Sequence, residues 1–190
     1  MRVIAGKYKG RVLSVKGAGI FRPSLGRVKE ALFSVLSPII EDSVFGDFFS
    51  GSGNIGIEAI SRGAKTVVFS ESDRKRRRLI EKNLKKILEE EDLERTIILG
   101  GVKNLIKQNI FEDYFDILFY DPPYDLLKKV IEGKEIEIFI RNALTFIKKD
   151  GVFVLEAPLF FVKELKSIGI APDKEKRYGK VHLLFFYKSG

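Results

Sequence analysis

Along the chain the period of the apolar positions changes repeatedly, and each change marks an element. Near the start, "RVIAGKYKGRVLSV" (2–15) holds two short β-like runs around a turn between Gly6 and Gly10, the pattern of a small hairpin. A loop follows over 17–24. From Leu25 to Leu36 the residues Leu25, Val28, Ala31, Leu32, Val35 and Leu36 recur at helical spacing, with Ser24 placed as N-cap and Pro38 as the stop. A regular alternation then begins. Strands are predicted over 43–50, 65–71, 95–100, 114–120 and 151–156. Helices are predicted between them over 54–62, 74–90, 102–109 and 126–148, the last broken near Gly133. A helix over 159–167 leads to a final strand at 181–188, with 170–177 placed to pair with it across Gly179. Strands rich in β-branched and aromatic residues, alternating with helices, predict a doubly wound α/β sheet, in which ligands sit beyond the carboxyl ends of the strands.

Two of those strand ends carry chemistry. "DFFSGSGNIGIE" (47–58) places Gly51-x-Gly53-x-x-Gly56 between a strand and a helix. Gly51 allows a tight turn, Gly53 lets a ligand approach the backbone, and the amides at the helix start favour anionic groups. Glu71 lies 20 residues beyond Gly51 at the end of the next strand, where an acid accepts from ribose hydroxyls. Asp73 is placed to cap the following helix. A nucleoside-bearing cofactor is expected, and NAD and S-adenosylmethionine both fit a glycine loop with a later acid. Asp47 favours the second, because a carboxylate there suits a cationic amino-acid group and would repel a pyrophosphate. In "YFDILFYDPPYD" (114–125) an apolar strand runs into Asp121-Pro122-Pro123-Tyr124. A strand does not continue through two prolines, so the segment is a stiff loop. An exocyclic amino group on a base is a poor nucleophile, because its lone pair is delocalised into the ring. Acceptors aimed at its N–H bonds draw that pair out; the Asp121 carboxylate and the Pro122 carbonyl serve, held by the prolines. Tyr124 offers a ring on which an unstacked base can lie.

Composition narrows the alternatives. The chain has 190 residues, a single-domain length, and 45% hydrophobic residues. It has no apolar run of membrane-spanning length, and Met1 leads straight into a strand-like segment, so neither a membrane span nor a signal peptide is expected. Zero Cys excludes disulfides and thiolate metal sites and fits a cytoplasmic protein. His182 is the only His, so a His-based triad or zinc site is not expected, and His182 reads as structural. The net charge is +8, unevenly spread. Residues 1–30 hold eight Lys and Arg against Glu30 alone, +7, and the other 160 residues come to about +1. A polyanion such as nucleic acid would meet a basic amino-terminal end on a nearly neutral body. "RKRRR" (74–78) reads as a solvated helix face, and Glu156 as a strand-end acid that lines a pocket or caps the next segment.

Several stretches together resemble the RsmD-type family of class I S-adenosylmethionine-dependent methyltransferases. They are "RVIAGKYKGRVL" (2–13), "RPSLGRVKEALFSVL" (22–36), "DFFSGSGNIGIEAISRGA" (47–64), "ESD" (71–73), Asp121-Pro122-Pro123-Tyr124 and "YGKVHLLFFY" (178–187). The resemblance implies a Rossmann-like sheet of seven strands with the last antiparallel. It implies an amino-terminal hairpin extension over 1–20 that helps hold RNA, ahead of a methyltransferase domain over 21–190. It also implies methylation of the guanine N2 amine in 16S ribosomal RNA, naked or in an assembling small subunit, by a cytoplasmic enzyme expected to be a monomer. Asp47, Gly51 and Gly53 would line the methionine side and Glu71 would hold the ribose; Ser52, Ser72 and Gly101 would also bind the cofactor, the Val102 backbone would meet the adenine ring, and Asp121 would be shared between cofactor and catalysis. Asp121, Pro122, Pro123 and Tyr124 would form the catalytic loop. Arg2, Lys7, Lys9, Arg11, Arg22 and Arg27 would meet RNA, and no metal is needed. Two positions depart from the family pattern: Gly26 stands where an acid is usual, and Gly101 where Asp or Asn usually contacts the adenine amine. The same loop also serves adenine N6 of DNA or a protein glutamine, and a pocket used only to bind RNA is a further alternative.

Overall fold

In the computed structural model the described residues are 1–15, 25–103, 105 and 111–189. Helix α1 (Leu25–Leu36) precedes strand β1 (Val44–Phe48), α2 (Asn54–Ser61), β2 (Thr66–Ser70), α3 (Arg74–Ile87), α4 (Glu90–Leu93) and β3 (Thr96–Leu99). After β4 (Phe115–Tyr120) come α5 (Tyr124–Glu132), α6 (Ile136–Thr145), β5 (Ile147–Pro158), α7 (Leu159–Ser167), β6 (Lys174–Tyr178) and β7 (Val181–Tyr187). The strands form one sheet in the order β3-β2-β1-β4-β5-β7-β6. Neighbours from β3 to β5 are parallel, and β7 runs antiparallel to both β5 and β6. The predicted doubly wound sheet with its reversed last strand is present.

The central strands are buried on both faces, as expected of parallel strands covered by helices. Phe45, Phe69, Ile117, Phe119 and Val154 pack on one side with α1, α2 and α3. Phe48, Val68, Leu118, Tyr120 and Leu155 pack on the other with α5, α6 and α7. A side-chain period of two makes this split, so residues of like parity at the strand ends share a face. Gly56 shows how closely α2 lies on the sheet: a Cβ there would stand 2.2 Å from the Phe69 ring.

Several boundaries differ from the sequence expectation, among them the helical stretch predicted to 148, which stops at Thr145. The helix after Glu71 stops at Ile87, and Glu90–Leu93 forms a separate turn of helix. β5 starts at Ile147, four residues early, because Ile147 pairs with Phe115 before a bulge in the β4–β5 ladder. Lys148 to Gly151 resembles a turn in sequence, and Asp150 does adopt φ 64, but the strand continues through it. The amino-terminal hairpin closes through the Arg2–Val12 bridge and through backbone bonds from Val3 to the Arg11 carbonyl, Gly10 to the Val3 carbonyl and Leu13 to the Met1 carbonyl. Its backbone is also bonded to the body: Ile4 and Ala5 donate to the Glu58 carboxylate, and Lys7 donates to the Ser61 carbonyl. Val3, Tyr8 and Leu13 are buried in the core on the α1–α3 side, so residues 1–15 are part of the packed body. The loop at 17–24 and most of the predicted helix at 102–109 lie outside the described residues. Val102, Lys103 and Leu105 are helical.

Candidate active site

The carboxyl ends of β2, β1, β4 and β5 open onto a cleft of about 1180 Å³. One acid lines it from each strand in turn: Glu71, Asp47, Asp121 and Glu156. Asp47 stands in register with Phe69 and Phe119, and Tyr120 with Leu155, which sets Asp121 beside Glu156. The alternation that buries Phe69, Phe45, Phe119 and Val154 on the α1–α3 side carries all four acids to that face.

Asp47 is 2% exposed and accepts from the Gly56 amide at 2.9 Å. Burial pushes its carboxyl up to about 7, the Gly56 bond opposes the shift, and the nearby Asp121 and Glu71 charges add to it. A buried acid among like charges is a poor place for an anion and a good one for a cation. The seat therefore fits the cationic amino-acid end of S-adenosylmethionine and disfavours a pyrophosphate. Glu71 holds the glycine loop in place, accepting from the Gly51 amide at 3.1 Å and the Asp73 amide at 2.9 Å. The Ser72 hydroxyl also donates to it at 3.5 Å and Arg76 lies 3.8 Å away, so of about four acceptor positions roughly one is left for a ribose hydroxyl. Gly51, Ser52, Ser72, Gly101 and Val102 line the same cleft. Gly53 does not: at φ 77 it starts α2 in the left-handed region, and a Cβ there would meet Ile80 and Phe69 at 3.3 and 3.4 Å. Its lack of a side chain serves the turn and the core rather than ligand approach. Gly101 also has a local cause, since a Cβ on this backbone would lie 2.9 Å from the Ser72 Cβ.

The Asp-Pro-Pro-Tyr loop is shorter than the sequence suggests. Asp121, Pro122 and Pro123 form it, and Tyr124 is already the first residue of α5, with Pro123 as N-cap. A proline fits there because the first amides of a helix have no intrahelical partner. Pro122 is buried, Tyr124 half-buried, and all four residues line the cleft. Phe49, just after β1, lines it too and holds φ 64, a conformation that costs a bulky side chain energy and is here fixed by its amide bond to the Ser70 carbonyl.

Other residues at the cleft escaped the sequence reading. Lys29 is 1% exposed and donates to Glu58, to Asn54 and to the Arg2 carbonyl at 2.8 to 2.9 Å. Burial lowers its pKa, and the Glu58 bond opposes that shift. The signal was a Lys on the apolar side of α1 next to Val28. Arg76 and Arg77, from the run read as a solvated face, line the cleft. Arg77 donates to the Glu71 and Ser72 carbonyls at 2.8 Å, and Asp73 caps the helix as expected by accepting from Lys75 and Arg76.

The basic amino-terminal residues divide. Lys7 lies 2.9 Å from each of Glu89, Glu91 and Asp92, and these bonds raise its pKa. Arg11 bonds the Ile87 carbonyl, with Glu89 at 3.9 Å. Both fasten the hairpin to the region around α4 while staying exposed, so part of their charge is already met by the chain's own acids and carbonyl. Arg2, Lys9 and Arg27 are exposed, and among the described residues none has an ion pair. Arg22 lies outside the described residues. His182 is buried with Nδ1 2.7 Å from Glu175, away from the cleft.

A parallel sheet with one reversed strand, a glycine turn leaving the first strand, and an Asp-Pro-Pro-Tyr loop on the adjacent one define a class I methyltransferase. A family model described as "Conserved hypothetical protein 95" matches residues 1–187, and the chain belongs to that family, the one of the RsmD-type enzymes. A Haemophilus influenzae protein named "Ribosomal RNA small subunit methyltransferase D" is 40% identical over 65% of this chain and 64% of its own length. A Buchnera aphidicola protein of the same name is 35% identical over 87% of each chain. The solved structure of a putative methylase from Haemophilus influenzae covers 100% of this chain and 98% of its own, with a TM-score of 0.70 at 30% identity. Among the described residues no helix is long and apolar enough to cross a membrane.

Proposed function

We propose that the protein methylates the N2 amine of a guanine in 16S ribosomal RNA, using S-adenosylmethionine. The observation that carries this reading is the Asp121-Pro122-Pro123 loop set beside Asp47 on adjacent strands of one cleft. Bound S-adenosylmethionine supplies a methyl group on a sulfonium, electrophilic toward an amine. Asp47 and its neighbouring acids hold the cationic end, and Glu71 receives the ribose. The Asp121 carboxylate and Pro122 carbonyl accept from the two N–H bonds of the target amine, turning its lone pair out of the ring and toward the methyl. With S-adenosylmethionine bound, the nitrogen would take the methyl as the carbon–sulfur bond breaks, and Asp121 or water would take the amine proton. Tyr124 takes the face of the base once it has left its neighbours. Exposed Arg2, Lys9 and Arg27, with Arg22, supply salt-sensitive affinity for phosphates. RNA is favoured over DNA or protein by the names of the relatives and by these cations. The substrate is a small-subunit assembly intermediate or the naked RNA, and the enzyme works as a cytoplasmic monomer.

The test supplies labelled S-adenosylmethionine and unmodified small-subunit RNA, naked and protein-bound, followed by nucleoside analysis. Labelled N2-methylguanosine is expected. Label in DNA or protein, with none in RNA, overturns the substrate.

A further inference from the structure

Large apolar side chains are exposed at the mouth of the cleft. Leu159 and Phe160, which begin α7 straight after β5, are 41% and 37% exposed. Ile138, in the first turn of α6, lines the cleft and is 58% exposed. Tyr124 begins α5, so three helices start at this end of the sheet and each brings an apolar group to it. The Phe160 ring stands edge-on to Tyr124, with centroids 6.1 Å apart and planes at 89°. The next residue, Phe161, is fully buried and packs edge-on against Phe139. The first turn of α7 is thus anchored in the core while Phe160 points outward. Lys163 follows three residues later, on the same side of the helix, exposed and with no ion pair among the described residues. Lys129 of α5 lines the cleft and is also exposed.

A ring left in water beside a stacking Tyr, with cations around it, matches a single strand of nucleic acid: flat faces for bases and positive charge for the phosphates between them. We infer that Phe160 is a second stacking position, which takes the base next to the target nucleotide while Lys163 meets the intervening phosphate. The inference rests on the RNA reading above. A target base that enters the cleft loses its stacking partners, and its neighbour loses one too. Phe160 replaces the neighbour's lost partner and, edge-on to Tyr124, fixes the ring on which the target lies. It is a positioning residue, since it touches the flanking base and not the reacting amine.

The test measures methyl transfer to small-subunit RNA, naked or protein-bound as the unaltered enzyme requires. The enzymes are the unaltered protein, Phe160→Ala and Phe160→Trp, and the RNAs carry an abasic site at either flanking nucleotide. Phe160→Ala is expected to raise KM for RNA about tenfold, toward the lower end of base–aromatic stacking. It should leave kcat and S-adenosylmethionine affinity within about twofold, and Phe160→Trp should restore KM. One abasic flank should raise KM for the unaltered enzyme by a similar factor and add nothing in Phe160→Ala, because both remove the same contact. An unchanged KM in Phe160→Ala overturns the inference. So does a loss that is additive with both abasic sites, a parallel loss of S-adenosylmethionine binding, or a dimer in solution that Phe160→Ala dissolves. If the unaltered enzyme methylates no RNA, the RNA reading falls and this inference with it. If it methylates RNA and Phe160→Ala behaves alike, only the second stacking position falls.

Discussion

Glu58 on α2 is fully buried, and its two oxygens accept from the amides of Ile4 and Ala5, from Lys29 and from Arg62. Asp47 on β1 is almost as deeply buried, accepts from Gly56, and faces two further acids. The first carboxylate is compensated within the chain and ties together the hairpin, α1 and α2. The second is compensated only in part, and burial raises its pKa instead. Two buried acids on one side of the same sheet thus serve opposite ends: a saturated one fixes the scaffold, and an unsaturated one leaves a place for a cationic ligand. The contrast extends to the cations. Lys7 and Arg11 are paired with the acids and carbonyl near α4, while Arg2, Lys9 and Arg27 have no ion pair among the described residues.

The comparison is most easily broken at Glu58. Glu58→Ala leaves Lys29 buried without its counter-charge, and is expected to cost about 3–5 kcal/mol in a urea or thermal unfolding experiment. A variant as stable as the parent would show that the anchor is not structural. Asp121→Ala should instead keep the fold and RNA affinity while lowering methyl transfer by about 10²-fold or more, read as kcat on RNA. Asp47→Asn should weaken S-adenosylmethionine binding about tenfold by calorimetry, the scale of a lost charge-assisted bond. The same change should leave the unliganded melting temperature equal or higher, because a disfavoured charge is removed. A fall in stability there would place Asp47 with Glu58.

The pH dependence sharpens the same point. A folded-state carboxyl pKa raised to about 7 means that the native chain holds a proton the unfolded chain has lost. The Asp47 contribution to unliganded stability therefore falls as pH rises from the ordinary carboxylate range to about 7, and levels off above. Cofactor affinity moves the other way, since the ionised form binds the cation: about eightfold tighter at pH 7.5 than at pH 6. Asp47→Asn should abolish that slope. The smallest effect expected separates the cations. Arg27→Ala should reduce the salt slope of RNA binding by about one, and Lys7→Ala should leave it unchanged.

The alternation of strands and helices, the acids at the strand ends and the Asp-Pro-Pro-Tyr turn were all legible in the chain. These depend on local rules: a period of two or 3.6, a glycine in a turn, a proline that cannot donate. α1 and α7 match their predicted spans, 25–36 and 159–167, because their apolar residues keep helical spacing and their flanks are punctuated. The Lys148–Gly151 stretch was misread because a bulge opposite Phe115 is a property of the ladder and not of the segment. The hairpin looked like an arm because its bonding partners, Glu58, Ser61, Asn83 and Asp92, lie about 50 to 85 residues away. The count of +7 was a property of the sequence, but which of those charges are paired was not. A charge acts through its neighbours within a few ångströms, and only the folded chain brings Glu89, Glu91 and Asp92 to Lys7 while leaving Arg27 with no ion pair among the described residues.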